Sequence, residues 1–298
     1  MATRVETPYS QRARYYSSAD AFNIKNPHVP AHLFTSERDR ALADTTPTSL
    51  IPLDLGPRLD LDFPATTPLI LARFARIRAG ESLRTRFTAG GELYYVIEGA
   101  GETSWGSETL AWEPGDAFSL PGGLSLAHSA TAGHAVLWIV TNEPELAFGR
   151  LEPPAPGAAV VEPVHFPDGE IRRQLELIHR LPAGTVPTGK AVNFSSAALE
   201  SRRTCLPSLT FAMNSLTPGE SQRAHRHNAV AVTLVVQGDR CHSIVAGERI
   251  DWQQHAVMIT PPGDSHSHHN DGDDLALFLI VQDGGLHYHL RTMGFSYT

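Results

Sequence analysis

An internal repeat constrains this chain more than any other feature. The segment AGESLRTRFTAGGELYYVIEG (79–99) is echoed by PGESQRAHRHNAVAVTLVVQG (218–238), with Gly80 matching Gly219 and Gly99 matching Gly238 at identical spacing. One residue of slippage later Trp112 matches Trp252, and SLPGG (119–123) matches ITPPG (259–263). One unit written twice, about half a chain apart, implies two copies of one architecture. Short apolar runs fill both copies: LILARFARI (69–77), ELYYVIEG (92–99), HAVLWIV (134–140), AVTLVVQG (231–238), HAVMIT (255–260) and LALFLIV (275–281). They are rich in Val, Ile, Leu, Phe and Tyr and are bounded by Gly, Pro, Asp or Asn, which are strand signals. The fold class is therefore all-β, two small antiparallel barrels with few helices. The first barrel is placed over 66–150 and the second over 190–298, its repeat ending near 284.

The rest of the chain connects these units. Residues 1–65 show no clear period and many turn formers, and read as an arm that packs on another surface, such as a second subunit. Residues 151–189 read as a linker with one short helix. LEPPAPGAAVVEP (151–163) is extended, and GEIRRQLELIHRL (169–181) sets Ile171, Leu175 and Ile178 on one helical face.

Composition narrows the function. The net charge of −8 argues against nucleic acid and against an anionic membrane surface. No run of about 18 apolar residues occurs, and MATRVETPYSQRARYY lacks the apolar core of a secretory signal. Cys205 and Cys241 are the only cysteines, so a disulfide framework is excluded and a cytoplasmic location is expected. The unusual number is 15 His against 24 Lys and Arg. Histidine is the commonest metal ligand and suits proton transfer near neutral pH.

The histidines cluster. His225 and His227 bracket Arg226, and residues two apart in a strand face the same side. PPGDSHSHHND (261–271) supplies His266, His268 and His269 after a Pro-Pro-Gly turn. On a neighbouring strand, His266 completes a three-nitrogen site with positions open to water, O2 or substrate. Such a site suits Fe(II), and also Mn, Ni or Zn.

These residues resemble the cupin signature in both halves, so the chain resembles a bicupin. Gly219, His225, His227 and Gly238 fit the first cupin motif, with Ala231 where Glu is usual. Pro261, Gly263, His266 and Asn270 fit the second. AHRH (224–227), PPGDSHSH (261–268) and LIVQD (279–283) are similar to gentisate, salicylate and 1-hydroxy-2-naphthoate dioxygenases, ring-cleaving bicupins with three His and no Glu on Fe(II). The resemblance implies a non-haem Fe(II) dioxygenase that cleaves a hydroxylated aromatic with O2, assembled as a homodimer or homotetramer. It also implies that His268 handles protons or substrate.

The chain departs from that group in three places. Its first barrel has Arg86 and Thr88 at the expected ligand positions and Leu126 at the third, with only Glu92 surviving, so the metal is expected in the second barrel. The usual carboxylate-anchoring Arg is Thr233, and the usual Trp pair before the third ligand is Gly263 and Ser265. Arg223 shares the inward parity of His225 and is a candidate anion partner, while Asp264 is a candidate to fix a ligand tautomer. Arg223, Thr233 and Asp264 are thus the candidate substrate-binding residues. His287 and His289 in GLHYHLR read as a strand-edge pair of structural or subunit-contact type. Arg84 and Arg86 read as solvated or paired with acids such as Glu92, and Cys241 as a structural or exposed thiol. Two other functions stay open: another metal-dependent cupin reaction (isomerisation, decarboxylation or a biosynthetic oxidation), and non-catalytic metabolite binding.

Overall fold

The computed structural model describes residues 7–155, 157–182 and 189–298. The first barrel is built on strands Leu71–Ile77, Gly91–Trp105, Ala117–Pro121 and Leu126–Thr141, with Ser82–Thr85 and Glu108–Trp112 paired to the two long strands. Gly91–Trp105 and Leu126–Thr141 pair along most of their length, and the register shifts between Val96 and Gly101. Those bulges bend both strands so that each serves two faces of the barrel. Gly99 sits in the bend at φ +76, where an added Cβ would lie 2.1 Å from the His134 carbonyl oxygen.

The second barrel is two facing sheets. Lys190–Asn193, Thr210–Leu216, Ala276–Gln282, Ala231–Gln237 and Val257–Thr260 form one, and Glu248–Asp251, Cys241–Val245, His266–Asn270, His225–His227 and Phe295–Tyr297 form the other. Every pairing is antiparallel, as the hairpin-like spacing of apolar runs predicts.

The barrels share a core. One apolar cluster runs from Phe74 and Trp138 of the first barrel to Phe211, Val232 and Leu279 of the second. All seven residues of Leu71–Ile77 are buried, because one face of the strand looks into its barrel and the other toward this shared layer.

The segment expected as an arm is split. His32–Phe34 pairs with Val257–Thr260 of the second barrel, and Ser49–Pro52 pairs with Leu71–Ile77 of the first. Its Leu53, Leu55 and Leu59 are buried in the shared core, so this part packs on its own chain. Before it, Tyr9, Tyr15, Tyr16, Phe22 and Ile24 are exposed.

The linker helix is Asp168–His179, with Ile171 and Leu175 buried. His179 bonds Ser215 Oγ of the second barrel at 2.9 Å, and the Asp168 amide donates to Asp116 of the first, so the helix straddles both. GLHYHLR is not a strand edge but lies in helix Gly284–Leu290. Residues two apart on a helix are about 200° apart around the axis, so His287 and His289 do not share a face.

Candidate metal centre

The strand His225–His227 is three residues long and pairs on both sides. Its alternate residues His225 and His227 are buried, while Arg226 points out. On one side it pairs with His266–Asn270, setting His225 opposite His266, and on the other with Phe295–Tyr297. The ring centroids of His225 and His266 lie 4.3 Å apart, those of His227 and His266 4.7 Å, and those of His225 and His227 5.8 Å. One ligand nitrogen from each of the three lies within 4.8 Å of the others.

Their backbone partners decide which nitrogen is free. His225 Nδ1 lies 2.8 Å from the Arg223 carbonyl oxygen, His227 Nδ1 2.7 Å from that of Ala229, and His266 Nδ1 2.9 Å from that of Asp264. A carbonyl can only accept, so each Nδ1 carries the proton and each Nε2 keeps its lone pair. Burial lowers the pKa of all three, to about 3 for His266, which holds the imidazoles neutral as metal binding requires. Three converging neutral Nε2 donors fit a divalent ion with open positions.

These nitrogens open into a cavity of about 370 Å³. Its polar lining includes Asn193, Asn214, Gln222, Gln282 and Tyr288, and its apolar lining Ile280, Met293 and Phe295. No Lys, Arg, Asp or Glu is among the lining residues. Gln282 Nε2 comes within 3.3 Å of His227 Nε2, so a carboxamide borders the metal position. The sequence reading singled out none of these amides; Asn193 and Asn214 stand in strands that bear no motif, and Gln222 and Gln282 lie beside motif residues without being part of the ligand pattern.

His268 also faces the cavity, and its tautomer is set from behind. Trp252 Nε1 donates to Ser243 Oγ at 2.8 Å, and Ser243 Oγ lies 2.7 Å from His268 Nδ1. Ser243 makes no other side-chain hydrogen bond among the described residues, so its proton goes to the Nδ1 lone pair. His268 Nε2 then carries a hydrogen. Burial holds the ring neutral, with a pKa well below the usual value.

The same three-part chain recurs in the first barrel. Trp112 Nε1 donates to Thr103 Oγ1 at 3.0 Å, and Thr103 Oγ1 lies 2.8 Å from His128 Nδ1. The sequence carried the signal: Thr103, Trp112 and His128 are spaced as Ser243, Trp252 and His268. The difference is at the far nitrogen, since His128 Nε2 is bound to Thr85 Oγ1 at 3.0 Å.

Thr85 also corrects the ligand register expected for the first barrel. Thr85 pairs with Leu126 as His225 pairs with His266, and the Gly123 amide donates to the Phe87 carbonyl as the Gly263 amide does to His227. Thr85, Phe87 and Leu126 therefore occupy the three ligand places, not Arg86, Thr88 and Leu126. The two copies slip by one residue between the glycine and the ligand strand, so counting from the glycine misplaces it. Arg86 is exposed and donates to the Gly123 carbonyl. Glu92 pairs with neither Arg84 nor Arg86; it is buried and accepts from the Tyr94 hydroxyl.

The remaining candidates are placed differently from expectation. Arg223 is exposed and stacks its guanidinium 4.1 Å from the Tyr297 ring, outside the cavity lining, because the chain has not yet entered the strand there and parity does not hold. Thr233 is buried in the barrel and is not among the lining residues. Asp264 meets His266 through its backbone carbonyl rather than its carboxylate. Asn270 is a latch: its amide donates to the Leu216 and Asp274 carbonyls, and its oxygen accepts from the Gly272 amide and the Cys241 thiol. The Cys241 thiol is buried and its pKa is pushed up to about 11 by burial.

Comparison with known proteins agrees with this geometry. The Cupin domain family matches residues 213–282, which span both histidine clusters. The whole chain superposes on the salicylate 1,2-dioxygenase of Pseudaminobacter salicylatoxidans with a TM-score of 0.78 and 14% identity, covering 95% of this chain and 92% of that one. The chain has the bicupin fold. Among curated proteins, the bicupin is similar to gentisate 1,2-dioxygenase from Ralstonia sp, 34% identical over 79 residues, covering 26% of this chain and 22% of the relative. It is also similar to gentisate 1,2-dioxygenase from Haloferax sp, 28% identical over 117 residues, covering 38% and 33%. The matched segments span a third or less of these relatives' length. Among the described residues, no helix is long and apolar enough to cross a membrane.

Proposed function

We propose that this bicupin is a non-haem Fe(II)-dependent dioxygenase that opens the ring of a hydroxylated aromatic compound with O2. One observation carries the reading: three neutral Nε2 donors, each fixed by a backbone carbonyl, converge on a cavity large enough for a substituted ring. The similarity to gentisate and salicylate dioxygenases supports it. Fe(II) is the metal of choice; the same ligand set also suits Mn, Ni or Zn.

His225, His227 and His266 would hold the ion. Bound there, it would supply Lewis acidity toward a phenol oxygen and redox capacity toward O2. His268, the candidate catalytic residue, offers Nε2–H to an oxygen of the aromatic and is held in that tautomer by Ser243. Phe295, 5.3 Å from the His225 ring, gives the aromatic an apolar wall, and the amides hydrogen-bond its polar substituents. No carboxylate among the lining residues competes for the proton.

Two further readings accompany this one. The exposed Tyr9, Tyr15, Tyr16, Phe22 and Ile24 support assembly with further copies of the chain as a homodimer or homotetramer. The two unpaired, buried cysteines fit a reducing compartment such as the cytoplasm.

The test is anaerobic purification and Fe(II) loading, followed by oxygen uptake with a panel of hydroxylated aromatics. Uptake matched by loss of the ring absorbance is expected, and it should disappear in His225→Ala together with the bound iron. No uptake with any aromatic overturns ring cleavage. Turnover with Zn or Mn in the absence of O2 would instead assign an isomerase or decarboxylase.

A further inference from the structure

The metal cavity does not stand alone. A second chamber of about 810 Å³ shares Asn193, Thr210, Gln282 and Tyr288 with it. Gln282 is common to both and also touches His227, so the second chamber adjoins the first on the His227 side. The two chambers have opposite electrostatic character. The inner one has no Lys, Arg, Asp or Glu and its histidines are held neutral by burial, while the outer one is lined by Arg202, Arg203, Arg291 and His289 and by no Asp or Glu.

That lining is unusual for this chain. Acids outnumber Lys and Arg by 32 to 24, yet three guanidiniums gather here without a counter-charge. None of the three forms a salt bridge among the described residues, whereas Arg73, Arg172, Arg173 and Arg240 all do. Arg203 and Arg291 each end a helical segment at positive φ, +55 and +59, where glycine is the cheaper residue. Both conformations turn the chain back at the chamber wall. Tyr288, 63% exposed, lines both chambers and marks where they meet.

We propose that the substrate is an aromatic diol or aminophenol bearing an anionic side chain, with the ring in the inner chamber and the anion on Arg202, Arg203 and Arg291. The proposal rests on the reading of the inner chamber as a metal-centred aromatic site and adds the substrate's second half. An anion on the ring's far side within the inner chamber would be buried against amides and apolar groups without a cation, which is costly. In the outer chamber the same anion meets planar guanidinium donors suited to a carboxylate or a phosphonate.

The experiment uses Zn(II)-loaded protein under anaerobic conditions, since zinc has no redox chemistry to offer O2, with binding read by calorimetry. The probes are catechol, 3-(3,4-dihydroxyphenyl)propanoate, its primary amide and the corresponding phosphonate. The wild type is expected to bind an acid probe roughly tenfold more tightly than the amide, the size of a charge-assisted contact. In the triple variant Arg202→Gln, Arg203→Gln, Arg291→Gln that advantage should fall to about twofold or less, with catechol affinity and thermal midpoint unchanged. The larger of the two acid ratios names the anion as carboxylate or phosphonate. Equal binding of acid and amide by the wild type overturns the proposal, as does an advantage that survives the triple variant. Catechol affinity that is indifferent to zinc and to His225→Ala removes the metal-site reading itself. An arginine-dependent preference persisting in that case overturns the bridged substrate and leaves an anion site alone.

Discussion

At the scale of single residues, the chemistry of this protein is set by which atom of each side chain is already occupied. His225, His227 and His266 are fitted to hold a metal because backbone carbonyls take their Nδ1 hydrogens and leave each Nε2 free. His128 and His268 are equivalent in sequence and in their hydroxyl partners, yet only His268 has a nitrogen left for the cavity, since Thr85 takes the other in the first barrel. Glu92 shows the cost of such burial. Its carboxyl pKa is raised from 4.5 to about 8, chiefly by burial. Below 4.5 the carboxyl is protonated in both folded and unfolded chain, and no penalty arises. As pH rises from there toward 8 the unfolded chain releases the proton and the fold does not, so stability falls. Glu92→Gln keeps an acceptor for the Tyr94 hydroxyl and removes the titration. We expect its thermal midpoint to match wild type near pH 4.5 and to exceed it by about 5 °C at pH 8, measured by scanning calorimetry across that range.

At the scale of elements, the metal strand depends on its neighbours. Three residues cannot hold a strand alone, and His225–His227 is pinned between His266–Asn270 and Phe295–Tyr297. The outer neighbour is itself tied by Asn228, which donates to the Thr292 carbonyl at 2.7 Å and accepts from the Gly294 amide at 2.7 Å. Asn228→Ala removes these two bonds and the one from its amide to His287 Nδ1, at about 1 kcal/mol each. We expect faster amide exchange at 295–297 and several-fold weaker metal binding, with the first barrel's exchange unchanged. Equal exchange in variant and wild type would show that strand pairing alone holds the segment.

At the scale of the whole molecule, the shared apolar layer makes the two barrels one cooperative unit. Trp138 lies in that layer and is 1% exposed. Trp138→Ala should cost about 3–5 kcal/mol and lower the melting of both barrels together. A single calorimetric transition is expected for wild type and variant; two separable transitions would show that the barrels melt independently.

The sequence by itself determined the architecture and the histidine cluster. A repeated pattern of short apolar runs and left-handed glycines leaves few choices beyond two antiparallel barrels, and H-x-H on a strand puts two imidazoles on one face whatever surrounds them. The histidine triad was legible for that reason. What only the tertiary structure decided depends on contacts distant in sequence. The first-barrel register needed the pairing of Thr85 with Leu126, because a one-residue slip leaves no trace in residue type. GLHYHLR lies in a helix between strands Ala276–Gln282 and Phe295–Tyr297, where no strand pairs with it, and it contributes Tyr288 to the cavity wall. Arg223 left the site because parity holds only inside a strand. The neutral inner and basic outer chambers were invisible for the same reason: Asn193, Arg202, Gln282 and Arg291 come from separate segments, and only folding brings their side chains around one space.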